Sequence, residues 1–240
     1  MARTPSAEYL VLDIETVPDT ARWTPAEGQE GAFPPSWAHR VVVIGCLWLD
    51  HRYQLRRMSV LTDEGGGERG LLDAWSRAVG SARPVLVTYN GRRFDLPVIA
   101  LRALCHGVPL GWYYRERALR ARYSEDGHLD LCDALADHGA TRSRSLAALA
   151  KLIGLPGKIG VDGSQVDGLY ARGEVDAIAR YCLADVAQTA LLFLRYRVLQ
   201  GRLELDAYRA AARGLLAGLA ADGRVDEVLA RADLPQLLVS

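Results

Sequence analysis

The chain has 240 residues, half of them hydrophobic, and its 29 basic side chains balance 29 acidic ones. This length and apolar content supply a core for one well-packed domain with a helical appendage, and exclude wholesale disorder. Zero net charge excludes a protein that coats nucleic acid through overall electrostatics, but not an enzyme with local basic contacts around an acidic centre.

Other exclusions follow from spacing. Cys46, Cys105, Cys132 and Cys182 include no CxxC pair, so neither a zinc ribbon nor a disulfide framework is expected and the thiols read as buried and reduced. No apolar run approaches membrane-spanning length. The start, MARTPSAEYLV, enters strand-like sequence without a secretory apolar stretch. A cytoplasmic protein with no membrane partner is the expectation.

Along the chain, residues 9–14 (YLVLDI) read as a buried strand because they are apolar and branched. Residues 18–40, with Pro18, Pro25, Pro34 and Pro35, read as a loop. The run 41–49 and the alternating segment 53–60 predict two strands joined by a hairpin near Asp50–Arg52. GGGERG at 65–70 precedes an amphipathic helix over 70–79, with Leu71, Leu72, Trp75 and Val79 on one face.

PVLVTYN at 84–90 predicts a further short strand, and a helix runs from Asp95 to about Cys105 with Pro97 in its first turn. Residues 107–128 are irregular and rich in arginine. Helices follow near 130–137 and 145–153, then a glycine-rich loop over 154–164 and a long helix over 174–199. Strands that precede and alternate with helices predict an α/β layered domain. Residues 203–231 add one or two amphipathic helices, so the chain divides into a domain over 1–200 and a helical extension over 201–240.

Chemistry-bearing residues recur at structural junctions. Asp13 and Glu15 in DIET sit at i and i+2 of a strand end and share one face. Two carboxylates there repel unless a cation lies between them. Asn90, the only asparagine, ends a strand in NGRRFD. There Gly91 permits a tight turn, Phe94 can anchor the loop, and Asp95 opens the next helix; an Asn-Gly turn with an N-cap aspartate would also account for them. Tyr181 and Asp185 in YCLAD stand at i and i+4 on one helix face. DxE and YxxxD each arise by chance about once in such a composition, so the weight lies in their conjunction and order.

Three weaker features accompany them. His128, Asp130 and Asp133 in HLDLCD fit an acidic helix start better than a metal site. GLPGKIGVDGS fails the Walker pattern because Ile159 follows the lysine, but Lys158 remains a candidate phosphate contact. Arg115, Arg117, Arg120 and Arg122 beside Trp112, Tyr113 and Tyr114 suit either a surface segment or a single strand. Arginines 195, 197, 202, 209 and 213 read as a solvated helix face.

DIET, NGxxFD and YxxxD, in that order, resemble the three exonuclease motifs of the DnaQ-like superfamily, in its DEDD subgroup with tyrosine. VLDIETVPD, VTYNGRRFDLPV, HLDLCD, GLPGKIGVDGSQV and YCLADV together resemble predicted bacterial 3′–5′ exonucleases related to the proofreading domain of family-B DNA polymerases. The resemblance implies an RNase H-like fold with a mixed five-stranded sheet flanked by helices. It also implies hydrolysis of single-stranded nucleic acid from the 3′ end, DNA favoured and RNA the alternative, with two Mg²⁺ or Mn²⁺ ions. Asp13, Glu15, Asp95 and Asp185 would hold the ions, Tyr181 would orient water, and Asn90, Phe94 and Lys158 would touch substrate. A polymerase or repair partner would act in trans. A non-catalytic nucleic-acid-binding module on the same fold is the competing expectation.

Overall fold

The computed structural model describes residues 8–29, 31–63, 65–160 and 163–239. Five strands form one sheet: β1 (Tyr9–Pro18), β2 (His39–Leu49), β3 (Leu55–Thr62), β4 (Val85–Thr88) and β5 (His128–Asp130), in the order β3-β2-β1-β4-β5. β1, β2 and β3 run antiparallel as a meander, whereas β4 and β5 run parallel to β1. The sheet is the mixed one expected. The helix start with acidic capping expected in HLDLCD is present, since the Asp130 side chain accepts from the Cys132 and Asp133 amides, but HLD itself also forms β5, which was not expected. Three residues are too short for strand alternation to register in sequence, and their place is fixed by pairing with β4.

Helices cover both faces. α1 (Gly67–Ala82) and α2 (Asp95–His106) lie on one side, where Leu10, Leu12 and Ile14 of β1 meet Leu72, Trp75, Val98 and Ile99. The arginine-rich stretch contains two short helices, α3 (Gly111–Arg115) and α4 (Arg117–Arg120), and α5 (Leu131–Leu135) follows β5. After α6 (Leu146–Leu152) and α7 (Val166–Ala171) comes α8 (Val175–Leu199), which packs on the opposite side of the sheet against Val11, Leu47 and Val87. β1 therefore alternates: its even residues face α1 and α2, and its odd residues face α8.

α8 corrects one expectation. By length and composition it is apolar enough to cross a membrane, but 72% of its most apolar stretch is buried within the protein. It is the core helix of this face, and a helix covered on most sides must be apolar on most sides.

The remaining helices, α9 (Leu205–Asp222), α10 (Asp226–Ala230) and α11 (Leu234–Leu238), place Tyr208, Leu215, Leu219 and Leu237 in the same core as Val11 and Leu47. The arginines expected on a solvated face mostly fasten this packing. Arg195 donates to Tyr208 Oη (3.1 Å) and to the Leu237 carbonyl (2.6 Å), and Arg209 to the Leu238 carbonyl (3.1 Å). Arg197 is 3% exposed and pairs with Glu125 at 2.5 Å, while Arg202 reaches the same carboxylate at 2.7 Å. Covering the end of α8 leaves these guanidinium groups to satisfy carbonyls and carboxylates in place of water. Arg213 keeps its exposed position.

A buried ionic cluster sets the pose of α2. Arg102, 2% exposed, donates Nε (2.8 Å) and Nη2 (2.5 Å) to Glu68 of α1, and Nη1 (2.7 Å) to Asp19 just after β1. Glu68 also accepts from the Val41 amide (2.8 Å), and its other oxygen lies 2.7 Å from His106 Nε2. Two helices and two strands are thereby pinned at one fork-shaped cation. Of the four cysteines, all free, Cys46, Cys132 and Cys182 are buried, but Cys105 is exposed.

Candidate active site

The site begins where β4 stops. β4 pairs with β1 only from Tyr9 to Val11, so beyond that point one edge of β1 has no strand beside it. The chain leaving β4 turns at Asn90 (φ 69°), and α2 brings Asp95 to the open edge. The Ile14 amide donates to the Asp95 carboxylate, which also accepts from its own amide; the side chain is 3% exposed. A backbone donor freed by the end of a neighbouring strand thus finds its partner in a functional side chain.

Asp13 and Glu15 project from the opposite, α8-facing side of β1. A carboxylate oxygen of each and the Cys182 sulfur lie within 4.8 Å of one another. Asp185 projects from α8, with the Tyr181 hydroxyl donating to it from one turn earlier. Burial raises the Asp13 pKa well above its ordinary value, and the charges of Asp95, Glu15 and Asp185 raise it further. Glu15 is raised likewise, by burial and then by Asp185 and Asp95. Asp95 is pushed up to about 7 by burial against two amide hydrogen bonds, and Asp185 to about 6 by burial against Tyr181 and the Lys158 charge. Four carboxylates from three distant segments therefore share one electrostatic environment.

A cleft of about 430 Å³ opens onto this cluster. Asp13 and Asp185 form part of its lining, with Tyr89, Asn90, Cys132, and Ser143 through Leu146 along its walls. Lys158 occupies the loop between α6 and α7. Gln188, one turn beyond Asp185, holds that loop by accepting from the Gly157 amide (2.8 Å) and donating to the Gly157 carbonyl (3.0 Å). Phe94 is placed differently from the others: its ring lies 5.0 Å from that of His39 and 5.9 Å from that of Phe33, anchoring the start of α2.

Three residues outside the expected site set, Asp130, Cys182 and Gln188, help to organise it. Asp130 accepts from the Asn90 and Arg92 amides, both at 2.9 Å, as well as from Cys132 (3.0 Å) and Asp133 (3.3 Å), so it caps α5 and shapes the Asn90 turn together. Asp133 pairs with Arg122 and His138, and His128 with Thr88, so the HLDLCD side chains are occupied by structural bonds. Cys182 lies inside the YxxxD motif, and Gln188 three residues past it. In each case the partner is supplied by another part of the chain. Arg115 and Arg120 donate to carbonyls of their own segment, Gly111 and Tyr114.

A mixed five-stranded sheet between helical layers, with carboxylates gathered at the end of its central strand, is the RNase H-like architecture of polymerase exonuclease domains. Comparison with known proteins agrees. The chain belongs to the family of predicted 3′–5′ exonucleases related to the exonuclease domain of PolB, whose model matches residues 31–230. It is 29% identical over 142 residues to the catalytic subunit of DNA polymerase epsilon from Schizosaccharomyces pombe, covering 54% of this chain and 6% of that one. It is also 29% identical over 143 residues to the corresponding polymerase subunit from Yarrowia lipolytica, with the same coverage. In fold it is similar to the family B DNA polymerase from the hyperthermophilic archaeon Pyrobaculum calidifontis, with a TM-score of 0.58 and 19% identity over 99% of this chain and 28% of that one.

Proposed function

We propose that this chain is a 3′–5′ exonuclease that hydrolyses phosphodiester bonds of single-stranded nucleic acid, DNA in preference to RNA, with two Mg²⁺ or Mn²⁺ ions. The observation that carries the reading is the convergence of Asp13, Glu15, Asp95 and Asp185. Burial raises all four pKa values, and the charges of neighbouring carboxylates raise those of Asp13, Glu15 and Asp95 further, so cations among them favour the fully charged set. The donors fit: carboxylate oxygens suit hard divalent cations, and the sulfur grouped with Asp13 and Glu15, that of Cys182, stays a protonated thiol. Asp13, Glu15 and Asp185 would hold one ion, and Asp13 with Asp95 the other. When bound, such ions supply Lewis acidity, which favours ionised water and neutralises charge on phosphoryl oxygens.

The chain's own groups do the positioning. Tyr181 donates a hydrogen bond to Asp185, leaving its oxygen lone pairs to accept from an attacking water and fix its direction. Lys158, held near Asp185 by the Gln188 clamp, offers a point charge to a phosphate. Asn90 stands on the cleft wall, where an extended strand can be gripped. Polymerase relatives suggest that the enzyme trims 3′ ends left by a polymerase or repair factor acting in trans.

The test is a time course on 5′-labelled DNA and RNA strands with Mg²⁺ or Mn²⁺. Stepwise shortening from the 3′ end is expected, lost in Asp13→Asn and Asp185→Asn while the fold is retained. Undiminished degradation by Asp13→Asn would overturn the reading.

A further inference from the structure

A stretch of net positive charge lies beside the carboxylate cluster of this neutral chain. Residues 138–161 contain Arg142, Arg144, Lys151 and Lys158 and no aspartate or glutamate. Ser143, Arg144, Ser145 and Leu146 from this stretch form one wall of the cleft that contains Asp13 and Asp185. A small hollow adjoins the cleft, sharing Asn90, Cys132 and Ser143 with it and adding Arg93, along with Asp130 and the paired Arg122 and Asp133. The Tyr89 hydroxyl donates to the Arg144 carbonyl, which fastens the wall to the end of β4.

Arg93, Arg142 and Arg144 are exposed, and among the described residues their guanidinium groups make no hydrogen bond or ion pair. Their neighbours differ. Arg92 donates to the carbonyls of Arg120, Ala121 and His128, and Arg122 to Asp133 and the His138 carbonyl. Arg93 lines the hollow and Arg144 the cleft, and Arg142 stands between Thr141 and Ser143, which line the hollow; exposed and without partners, the three are free to meet an anion.

We propose that this arginine-bearing wall is the track along which the sugar–phosphate backbone of a single strand approaches the carboxylates, with Arg93, Arg142 and Arg144 each contacting a phosphate. The assignment rests on the nuclease reading and deepens it. A polyanion nearing four carboxylates meets repulsion, which cations at the cleft mouth offset before any chemistry begins. Guanidinium forks suit phosphate oxygens. The Tyr89 ring on the same wall gives a base a face to stack on, which makes the track sequence-tolerant.

Binding of fluorescein-labelled (dT)15 and (rU)15 to the full chain carrying Asp13→Asn, read by anisotropy in Ca²⁺ over a salt series, tests the track. With Arg93→Gln, Arg142→Gln and Arg144→Gln combined, affinity at low salt should fall about tenfold or more, and the slope of log affinity against log salt should flatten by about 2, near 0.7 for each lost phosphate contact. The three lysine replacements should keep most of the slope. A control triple, Arg52→Gln, Arg69→Gln and Arg213→Gln, removes the same charge from distant exposed positions and should leave the slope unchanged; matching melting temperatures confirm that all variants fold. The DNA and RNA arms identify which backbone is tracked. Equal slopes for the wall triple and the control triple, or no binding of either strand before mutation, would overturn the proposal. Hydrolysis by the parent chain in Mg²⁺ or Mn²⁺ together with an unchanged slope refutes the track alone, whereas wall-dependent binding with no hydrolysis by the parent chain refutes the nuclease reading alone.

Discussion

The Cys182 thiol lies against Asp13, its sulfur 3.6 Å from Oδ2 and 3.5 Å from the main-chain oxygen. Burial and the surrounding carboxylates raise the thiol pKa, so it stays protonated and donates. Gly45, the cross-strand partner of Asp13 on β2, makes room for it, since a Cβ there would meet Cys182 Sγ at 2.8 Å and Val186 Cγ2 at 3.0 Å. Gly45→Ala should therefore destabilise the protein by about 1–3 kcal/mol, as overpacking does, and should slow hydrolysis by displacing Asp13. Adding Cys182→Ala should recover much of the stability in denaturant titrations. Additive losses in the double variant would show that the two residues do not compete for the same space.

The carboxylate cluster makes stability depend on pH with a definite sign. Folded Asp95 and Asp185 bind protons up to about 7 and about 6, above the unfolded range near ~4. Between those limits the unfolded chain holds fewer protons, so the metal-free protein loses stability as pH rises from 4 to 7. Asp13→Asn should melt higher than the parent at pH 7.5 without metal, with the advantage shrinking toward pH 4.5. Conversely, Mg²⁺ or Mn²⁺ should raise the parent's melting temperature at pH 8 and scarcely at pH 5. A metal effect independent of pH would contradict the electrostatic account.

Gln188 acts on the cleft at one remove. Its amide satisfies both main-chain groups of Gly157, and Gln188→Leu would leave them without partners. The expected cost is about 1–3 kcal/mol for each group left buried and unpaired. Because Lys158 is the next residue, KM for oligonucleotides should rise more than kcat falls. Steady-state kinetics with Gln188→Leu beside Lys158→Gln checks this; a change in kcat alone would place the loop's influence elsewhere.

Arg102 gathers Glu68 and Asp19 in the interior, and its removal takes the shared cation from two buried carboxylates. Arg102→Leu should cost about 3–5 kcal/mol. The triple replacement Arg102→Leu, Glu68→Gln and Asp19→Asn should recover part of that loss in urea melts. If the triple variant is no more stable than the single one, the loss comes from packing and not from stranded charge.

What the sequence made legible follows the range of the interactions involved. β1, α2 and α8 are readable because each repeats a local pattern: an apolar run, an aspartate-led turn, or sustained hydrophobicity. DIET, NGRRFD and YCLAD are legible for the same reason, as short motifs at the ends of those elements. β5 is not, since three residues gain strand character only beside β4. Arg195, Arg197 and Arg209 pattern as a polar helix face, and only the fold shows α9 and α11 covering it. Asp130, Cys182 and Gln188 lie within or near the recognised motifs, yet their partners Asn90, Asp13 and Gly157 come from 31 to 169 positions away, beyond any periodicity.

The Ile14 amide has a use beyond architecture. Its proton ends on the Asp95 carboxylate because no strand claims it, so its magnetic environment must register whether that oxygen is ionised, protonated or drawn toward a cation. In a nitrogen-correlated spectrum this one resonance would act as a built-in gauge of occupancy, readable without substrate, turnover or label.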